Sequence, residues 1–395
     1  MRLKRWARLF LAMAPVLSGC KGFWKVPSGS GGGGGTGSAS GVFYVLNQKT
    51  SQLAGFSFAS GAKTLTAVTN SPYTLSAAPF AVAISPSGGF LYVSTAAGIF
   101  VYSINASTGA LTLQNQSQVI SADPAFTMAV DASGSWLIEA VSGLSAVNAI
   151  PLDSTTGGVL SGASEQSVNL PSGATAVQQV TTTRSGATNP YVFVAMGTTG
   201  LAVIPFNSSA SGNPFGTLKT VAPKNNTGGD TTVAVDVSHQ VLYVGETVAV
   251  AGSNPGGLRA FTIGDNTTPL TELTGSPYNS GGIGPSAILP TTSFVYVANK
   301  AVSGSNDGNI TAFGITTTAG AVTSLSAVTS GTTAAGVSTV GLSEDSSGTY
   351  ILAVNSSGTP DLNAYTIGTS GALTSYATAA TGSDPVQAVA IAAVP

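Results

Sequence analysis

"PFAVAISPSGGFLYVSTAAGIFVYSINASTGALTLQ", residues 79–114, decides the fold, because it is one complete copy of a unit that recurs through the 395-residue chain. Three short runs in it are rich in Val, Ile, Phe and Tyr, the residues that suit a pleated and half-buried surface. A turn closes each run: "SPSGG" after the first, "AAG" after the second and "NASTG" after the third, followed by a weaker fourth run, "ALTLQ".

Working outward, the first run reads roughly P-x-x-V-A-V and returns as "PAFTMAVDASG", "TTVAVDVSH", "STVGLSEDSSG" and "PVQAVAIAA", among others. The second returns as "VFYVLN", "WLIEA", "YVFVAM", "LYVGE", "VYVAN" and "YILAVN", and the third as "LAGFSF", "LSAVNAI", "LAVIPF", "LRAFTI", "ITAFGI" and "LNAYTI". Aligning the second runs places Tyr44, Tyr92, Leu137, Phe193, Tyr243, Tyr296 and Leu352 at one level, 45 to 56 residues apart. Four short strands per unit at that spacing predict an all-β, seven-bladed β-propeller of four-stranded antiparallel blades. An open solenoid would need polar capping repeats at both ends, and the sequence has none. The ends interlock instead. "VFYVLN" (residues 42–47) lacks an inner neighbour and "DPVQAVAIAA" (384–393) is an inner strand with no blade after it, so the ring closes by pairing the C-terminal strand with the N-terminal blade.

Before the repeats, Arg2, Lys4, Arg5 and Arg8 precede an apolar run from Leu9 to Leu17, too short to span a bilayer as a stable helix. The run ends in Leu17, Ser18, Gly19 and Cys20, which resembles a bacterial lipobox. Residues 1–19 therefore read as a lipoprotein signal peptide, and Cys20 as the site of lipidation. Cys20 is the only cysteine, which excludes an intrachain disulfide and a thiolate metal cluster. Residues 20–41 are a Gly- and Ser-rich tether and residues 42–395 the propeller. Lys21 after the cysteine favours the outer membrane, by resemblance to lipoprotein sorting.

Charged residues make up 7% of the chain, against about 25% in an ordinary globular protein. Six of the thirteen bases lie before the repeats, which leaves seven bases against fifteen acids and a body charge near −8. No basic footprint for nucleic acid remains.

"FLYVSTAAG", "FVYVANKAVSGSNDGNITAFGI" and "GSPYNSGGIGP" resemble the YVTN-type repeats of the seven-bladed lactonase-like propeller family, which includes 6-phosphogluconolactonases. The resemblance covers residues 42–395 and implies a ligand face built by the loops between second and third strands and by the links between blades. Family lactonases would present histidine, arginine and acids there, to polarise a lactone carbonyl and activate water. The only histidine, His239 in "DVSHQVLYV", falls in a hairpin on the other face and reads as a solvated turn residue. Arg184 sits in the same kind of hairpin, and only Arg259, at the start of a third strand, lies near the ligand edge.

On the ligand face, Asn47, Glu246, Asn299 and Asn355 follow the second strands and share one column around the mouth. Asn47, Asn299 and Asn355 are the candidate ligand-binding residues, alongside the plainer reading that each bonds its own turn. Glu246 as general base and Lys300 as electrophile are the candidate catalytic residues. Asp307 and Gly308, in "GSNDGN", read as a hairpin turn, since the spaced acids of an EF-hand loop are missing. With no phosphate-cradling glycine motif, no G-x-S-x-G elbow and no histidine pair, neither a cofactor nor a metal is expected. The reading that results is a lipid-anchored, non-catalytic envelope propeller with a glycan or an envelope protein as partner. Lactone hydrolysis at the channel mouth is the alternative.

Overall fold

The computed structural model describes residues 41–58, 64–114, 119–141, 143–174, 177–183, 186–225, 228–236, 238–248, 256–379 and 388–395. Cys20, the export signal, the tether and Arg184 lie outside the described residues. Every regular element among those residues is a β-strand, and the strands form seven sheets.

Each sheet is one antiparallel blade whose strands follow in chain order from the channel outward, except the first. In blade 1 the innermost strand is Ala388–Ala393, which pairs with Val42–Asn47 so that Tyr44 lies opposite Ala392. The ring is thus closed by the two ends of the chain, as the sequence implies. The inner strands of blades 2 to 7 are Pro79–Ile84, Ala125–Val130, Gln179–Thr182, Asp230–Asp236, Ile283–Pro290 and Thr339–Glu344. Each packs beside the next, and the last and first meet at Ala388–Ala393.

The second strands are the most deeply buried, because both faces of each are covered by neighbouring blades. Tyr44, Tyr92, Tyr191, Tyr243 and Tyr296 are all at most 1% exposed, and burying an apolar body of this size contributes about 1.5–3 kcal/mol. A buried phenol also needs a partner. The Tyr44 hydroxyl donates to the carbonyl of Gly109 in blade 2, and that of Tyr296 to Gly371 in blade 7 at 3.0 Å. Both glycines turn with positive φ, and a Cβ on Gly109 would lie 2.8 Å from Val42, so the "TG" turn is also a packing surface.

The inner strands carry a repeated irregularity. In blades 1, 2, 3, 5, 6 and 7 the ladder to the second strand slips by one residue near the inner strand's start, a β-bulge. A bulge re-aims a side chain, and here polar residues at or beside it tie blade to blade. Thr231 Oγ1 donates to the Pro285 carbonyl at 2.7 Å, Ser286 Oγ to the Thr339 carbonyl at 2.7 Å, and the Val180 amide to Thr127 Oγ1 at 3.0 Å.

Counting from the bulge corrects one alignment. Met128 pairs with Glu139 and Ala129 with Ile138, as Val82 pairs with Val93 and Ala83 with Tyr92. Ile138, not Leu137, is therefore level with the tyrosines. The hairpin sets the register: Asp131 Oδ1 accepts from the Ser135 and Trp136 amides at 2.8 and 2.7 Å, which makes Trp136 the counterpart of Phe90.

Candidate functional site

The second strands end on the face opposite the first hairpins, and there Asn47, Glu246, Asn299 and Asn355 each pair across the ladder with the residue just before the bulge. All four are at most 1% exposed, so the column belongs to the sheet rather than to an open rim. Asn299 Nδ2 donates to the Ser280 carbonyl and to Asn309 Oδ1, both at 2.8 Å, while the Ser280 hydroxyl donates to its Oδ1 at 2.7 Å. It clasps the link that enters blade 6, rather than its own turn. Asn355 Oδ1 accepts from Thr339 Oγ1 at 2.8 Å, within its blade. The neighbouring "GSNDGN" turns at Gly304 (φ 81°), and Asp307 already begins the strand Asp307–Thr318. Gly308 is needed for close approach, since a Cβ there would meet Thr339 and the Asn299 carbonyl.

Blade 5 holds the charged part of this face. Glu246 Oε1 accepts from the Lys224 amide at 2.8 Å and from Arg259 Nη1 at 3.1 Å. The guanidinium, 4% exposed, also grips Glu272 with Nε at 3.0 Å and Nη2 at 3.3 Å, donates to the Ala222 carbonyl at 2.9 Å and lies 4.7 Å from the Phe261 ring centroid. Its fork is used on both sides, which a lysine could not do. Asp230 pairs with Glu246 across the ladder and is fully buried, with no hydrogen-bond donor on either oxygen. Burial first, and the Glu246 carboxylate second, hold the Asp230 carboxyl well above the usual range. Burial pushes Glu272 up as well, but the bonds from Arg259 outweigh it and leave that carboxyl below its ordinary value.

Lys300 is the last residue but one of the second strand of blade 6 (Phe294–Ala301), is half-buried, and has its pKa lowered by burial. His239 is less solvated than its turn position suggests. Its side chain is 15% exposed, and Nδ1 lies 2.8 Å from Asp236 Oδ2, while Asp236 Oδ1 accepts the amides of Ser238 and His239 at 2.8 and 3.0 Å. The turn still lies on the face away from Glu246.

At the inner strands' starts, on the Glu246 face, Phe80 and Phe126 are half-buried and stack at 4.9 Å between centroids. Thr231, also half-buried, follows along the ring. These three side chains offer aromatic faces and a hydroxyl. The sequence reading missed the phenylalanines because they are the x residues of P-x-x-V. Only the bulge singles them out.

A third group was also missed. Asp123, in the link between blades 2 and 3, Glu139, in the second strand of blade 3, and Glu165, beside its outer strand, bring carboxylate oxygens within 4.8 Å of one another. The spacing in sequence gives no sign of it, since packing between blades assembles the group.

Residues 21–178 match the family described as "Lactonase, 7-bladed beta-propeller". No curated protein matches the chain. Among solved structures, a Bacteroides fragilis protein proposed to be a 6-phosphogluconolactonase superposes with TM-score 0.68 at 14% identity, covering 91% of this chain and 99% of its own. A Bacteroides uniformis protein of the same proposed activity gives 0.69 at 13% identity, covering 89% and 99%. The periplasmic gluconolactonase of Pseudomonas aeruginosa gives 0.65 at 15% identity, covering 90% and 99%. These likenesses establish a common fold.

Proposed function

We propose that this lactonase-like propeller is a lipid-anchored binding protein of the cell envelope, with the channel mouth as its ligand face and a neutral glycan as its ligand. The observation that carries the reading is the state of Glu246. A general base must reach the proton it removes, whereas Glu246 is 1% exposed and its Oε1 is engaged by Arg259 and the Lys224 amide. The stacked Phe80 and Phe126 suit the apolar face of a sugar ring, and Thr231 adds a hydroxyl. None of these three side chains carries a charge for an anionic ligand.

The test measures hydrolysis of gluconolactone and 6-phosphogluconolactone against the spontaneous rate, and binding to a panel of uncharged oligosaccharides. The expected result is no acceleration, with binding that Phe80→Ala and Phe126→Ala each weaken tenfold or more. Lactone hydrolysis is the second reading, favoured by the family match and by Lys300, whose charge burial disfavours. Robust turnover abolished by Glu246→Gln or Lys300→Ala would put it first.

Anchoring rests on the lipobox ending at Cys20, and diacylation there would give stable attachment, most naturally to the outer membrane. Cys20→Ser should move the protein out of the detergent-requiring fraction. Unchanged fractionation, with no acyl mass on the wild-type N-terminus, would remove the anchor.

A further inference from the structure

Counted from the bulge, Glu139 is level with Val45, Val93, Val244, Val297 and Ala353 of the other bulged blades. One blade alone replaces a small aliphatic residue with an acid, at a place with no exposure to solvent. Ile138 and Ala140 pack toward blade 4, so Glu139 points the other way, into the seam with blade 2. Asn148 Nδ2 donates to its Oε1 at 3.2 Å and the Ser121 hydroxyl also favours the ionised carboxyl, but among the described residues Oε2 is buried without a hydrogen-bond partner. A buried oxygen in that state is costly unless something binds it.

Carboxylate oxygens of the exposed Asp123 and Glu165 lie within 4.8 Å of each other and of one oxygen of the Glu139 carboxyl. Asp123 is steadied by its amide, which donates to Ser121 Oγ at 3.2 Å. Among the described residues no ion pair reaches any of the three. Burial first, and then the charges of Glu165 and Asp123, raise the Glu139 carboxyl to about 7.

We propose that Asp123, Glu139 and Glu165 bind one calcium-class divalent cation in the seam between blades 2 and 3, fastening the link between those blades to the outer strand of blade 3. The donors are all carboxylate oxygens, which select a hard cation over zinc or copper. Oxygens bound to one calcium at about 2.3–2.6 Å stand at most roughly 5.2 Å apart, a limit that oxygens within 4.8 Å of one another satisfy. Magnesium would need a tighter, near-octahedral set at about 2.0–2.1 Å. The site is independent of the channel mouth and of the binding reading given above.

The experiment titrates CaCl2 into the full chain by calorimetry and follows its melting temperature with and without 5 mM CaCl2, MgCl2 serving as control. One calcium should bind with Kd about 10⁻⁴–10⁻³ M, the range of extracellular calcium modules, and raise the melting temperature by about 1–3 °C. Glu139→Val, which restores the residue of the repeat, should melt no lower than wild type without calcium and should lose both the binding heat and the shift. Asp123→Asn and Glu165→Gln, at exposed positions, should weaken binding tenfold or more at unchanged calcium-free stability, and they carry the test if Glu139→Val does not fold. Absence of calcium binding by the wild type, binding that survives Glu139→Val or Asp123→Asn, or an equal response to magnesium would each overturn the proposal.

Discussion

Blade 3 and blade 5 both bury acids in strands that are mostly apolar, and they handle them in opposite ways. Asn148 lies across the ladder from Glu139 and Arg259 across from Val244, so the two occupy the same place in their third strands. In blade 5 that place holds a guanidinium which meets Glu246 and Glu272 and reaches a backbone carbonyl, and Asp230 beside them, whose oxygens have no hydrogen-bond partner among the described residues, has its carboxyl pKa raised by burial and by Glu246. In blade 3 the same place holds an amide with no charge, and Glu139 keeps an oxygen that has no hydrogen-bond partner and no cation among the described residues. The scaffold is the same. What differs is whether the counter-charge is covalently part of the protein, and the first group therefore reads as structure and the second as a site.

The largest effect should come from breaking the compensated side. Arg259→Met leaves Glu246 and Asp230 buried without a cation and should cost about 3–5 kcal/mol in denaturant unfolding, the penalty for removing one partner of a buried pair. Arg259→Lys should recover only part of it, because an ammonium cannot span Glu246, Glu272 and the Ala222 carbonyl. Glu139→Gln in blade 3 should cost under about 1 kcal/mol by the same measurement, since it removes a charge that has no partner to strand. Equal losses in the two blades would erase the distinction.

The next effect is a pH dependence with a definite sign. Asp230 has a folded pKa above its unfolded value, so the folded state holds a proton that the unfolded chain releases in the ordinary carboxylate range near pH 4. Its contribution is complete below that range and is lost as pH rises through the raised folded value, at up to about 1.4 kcal/mol per pH unit. Asp230→Asn should flatten this part of the stability profile between about pH 5 and pH 8. A wild-type profile that rises with pH over that interval would show that Arg259 keeps Asp230 ionised.

Glu139→Val offers the sharper contrast on the uncompensated side. Without calcium at pH 8, above the Glu139 value of about 7, replacing a buried carboxylate by the residue of the repeat should stabilise the protein by about 1–2 kcal/mol. At pH 5 the carboxyl is already neutral and the gain should shrink. A loss of stability at pH 8 would mean that Glu139 is satisfied inside the folded chain.

The propeller was legible because it depends on features the sequence repeats: aromatic and β-branched runs, turns at fixed places, and two ends that each lack half a blade. The charged groups were legible only in part. Glu246 and Arg259 drew notice as polar residues near strand ends, but their bond to each other comes from a ladder in which Val244 opposes Arg259. Glu139 was hidden by a single residue. "WLIEAV" has no tyrosine to mark the level, and taking Leu137 for it moves Glu139 toward the strand's end, where it reads as one more polar residue of the ligand-face loops rather than a buried one inside the strand. The Asp131 hairpin sets the true register, through bonds that only coordinates reveal. Asp123 and Glu165 join Glu139 across a seam between blades, a contact that no local pattern encodes.

The smallest effect tests whether depth alone sets the value of a hydrogen-bonded side-chain pair. His239 and Asp236 form the shallow case: Nδ1 and Oδ2 are 2.8 Å apart and the imidazole is 15% exposed, on the face away from Glu246. The turn does not depend on the ring, because Asp236 Oδ1 accepts the Ser238 and His239 amides and Gln240 N–H bonds the Asp236 carbonyl, all of which survive loss of the imidazole. His239→Ala should therefore cost no more than about 1 kcal/mol, the upper end for a pair near solvent, and leave ligand binding at the mouth unchanged. A loss approaching that of Arg259→Met would show that pairing geometry, rather than burial, controls these interactions. A tenfold loss of ligand affinity at unaltered stability would place the ligand on the His239 face and move the binding site to the other end of the channel.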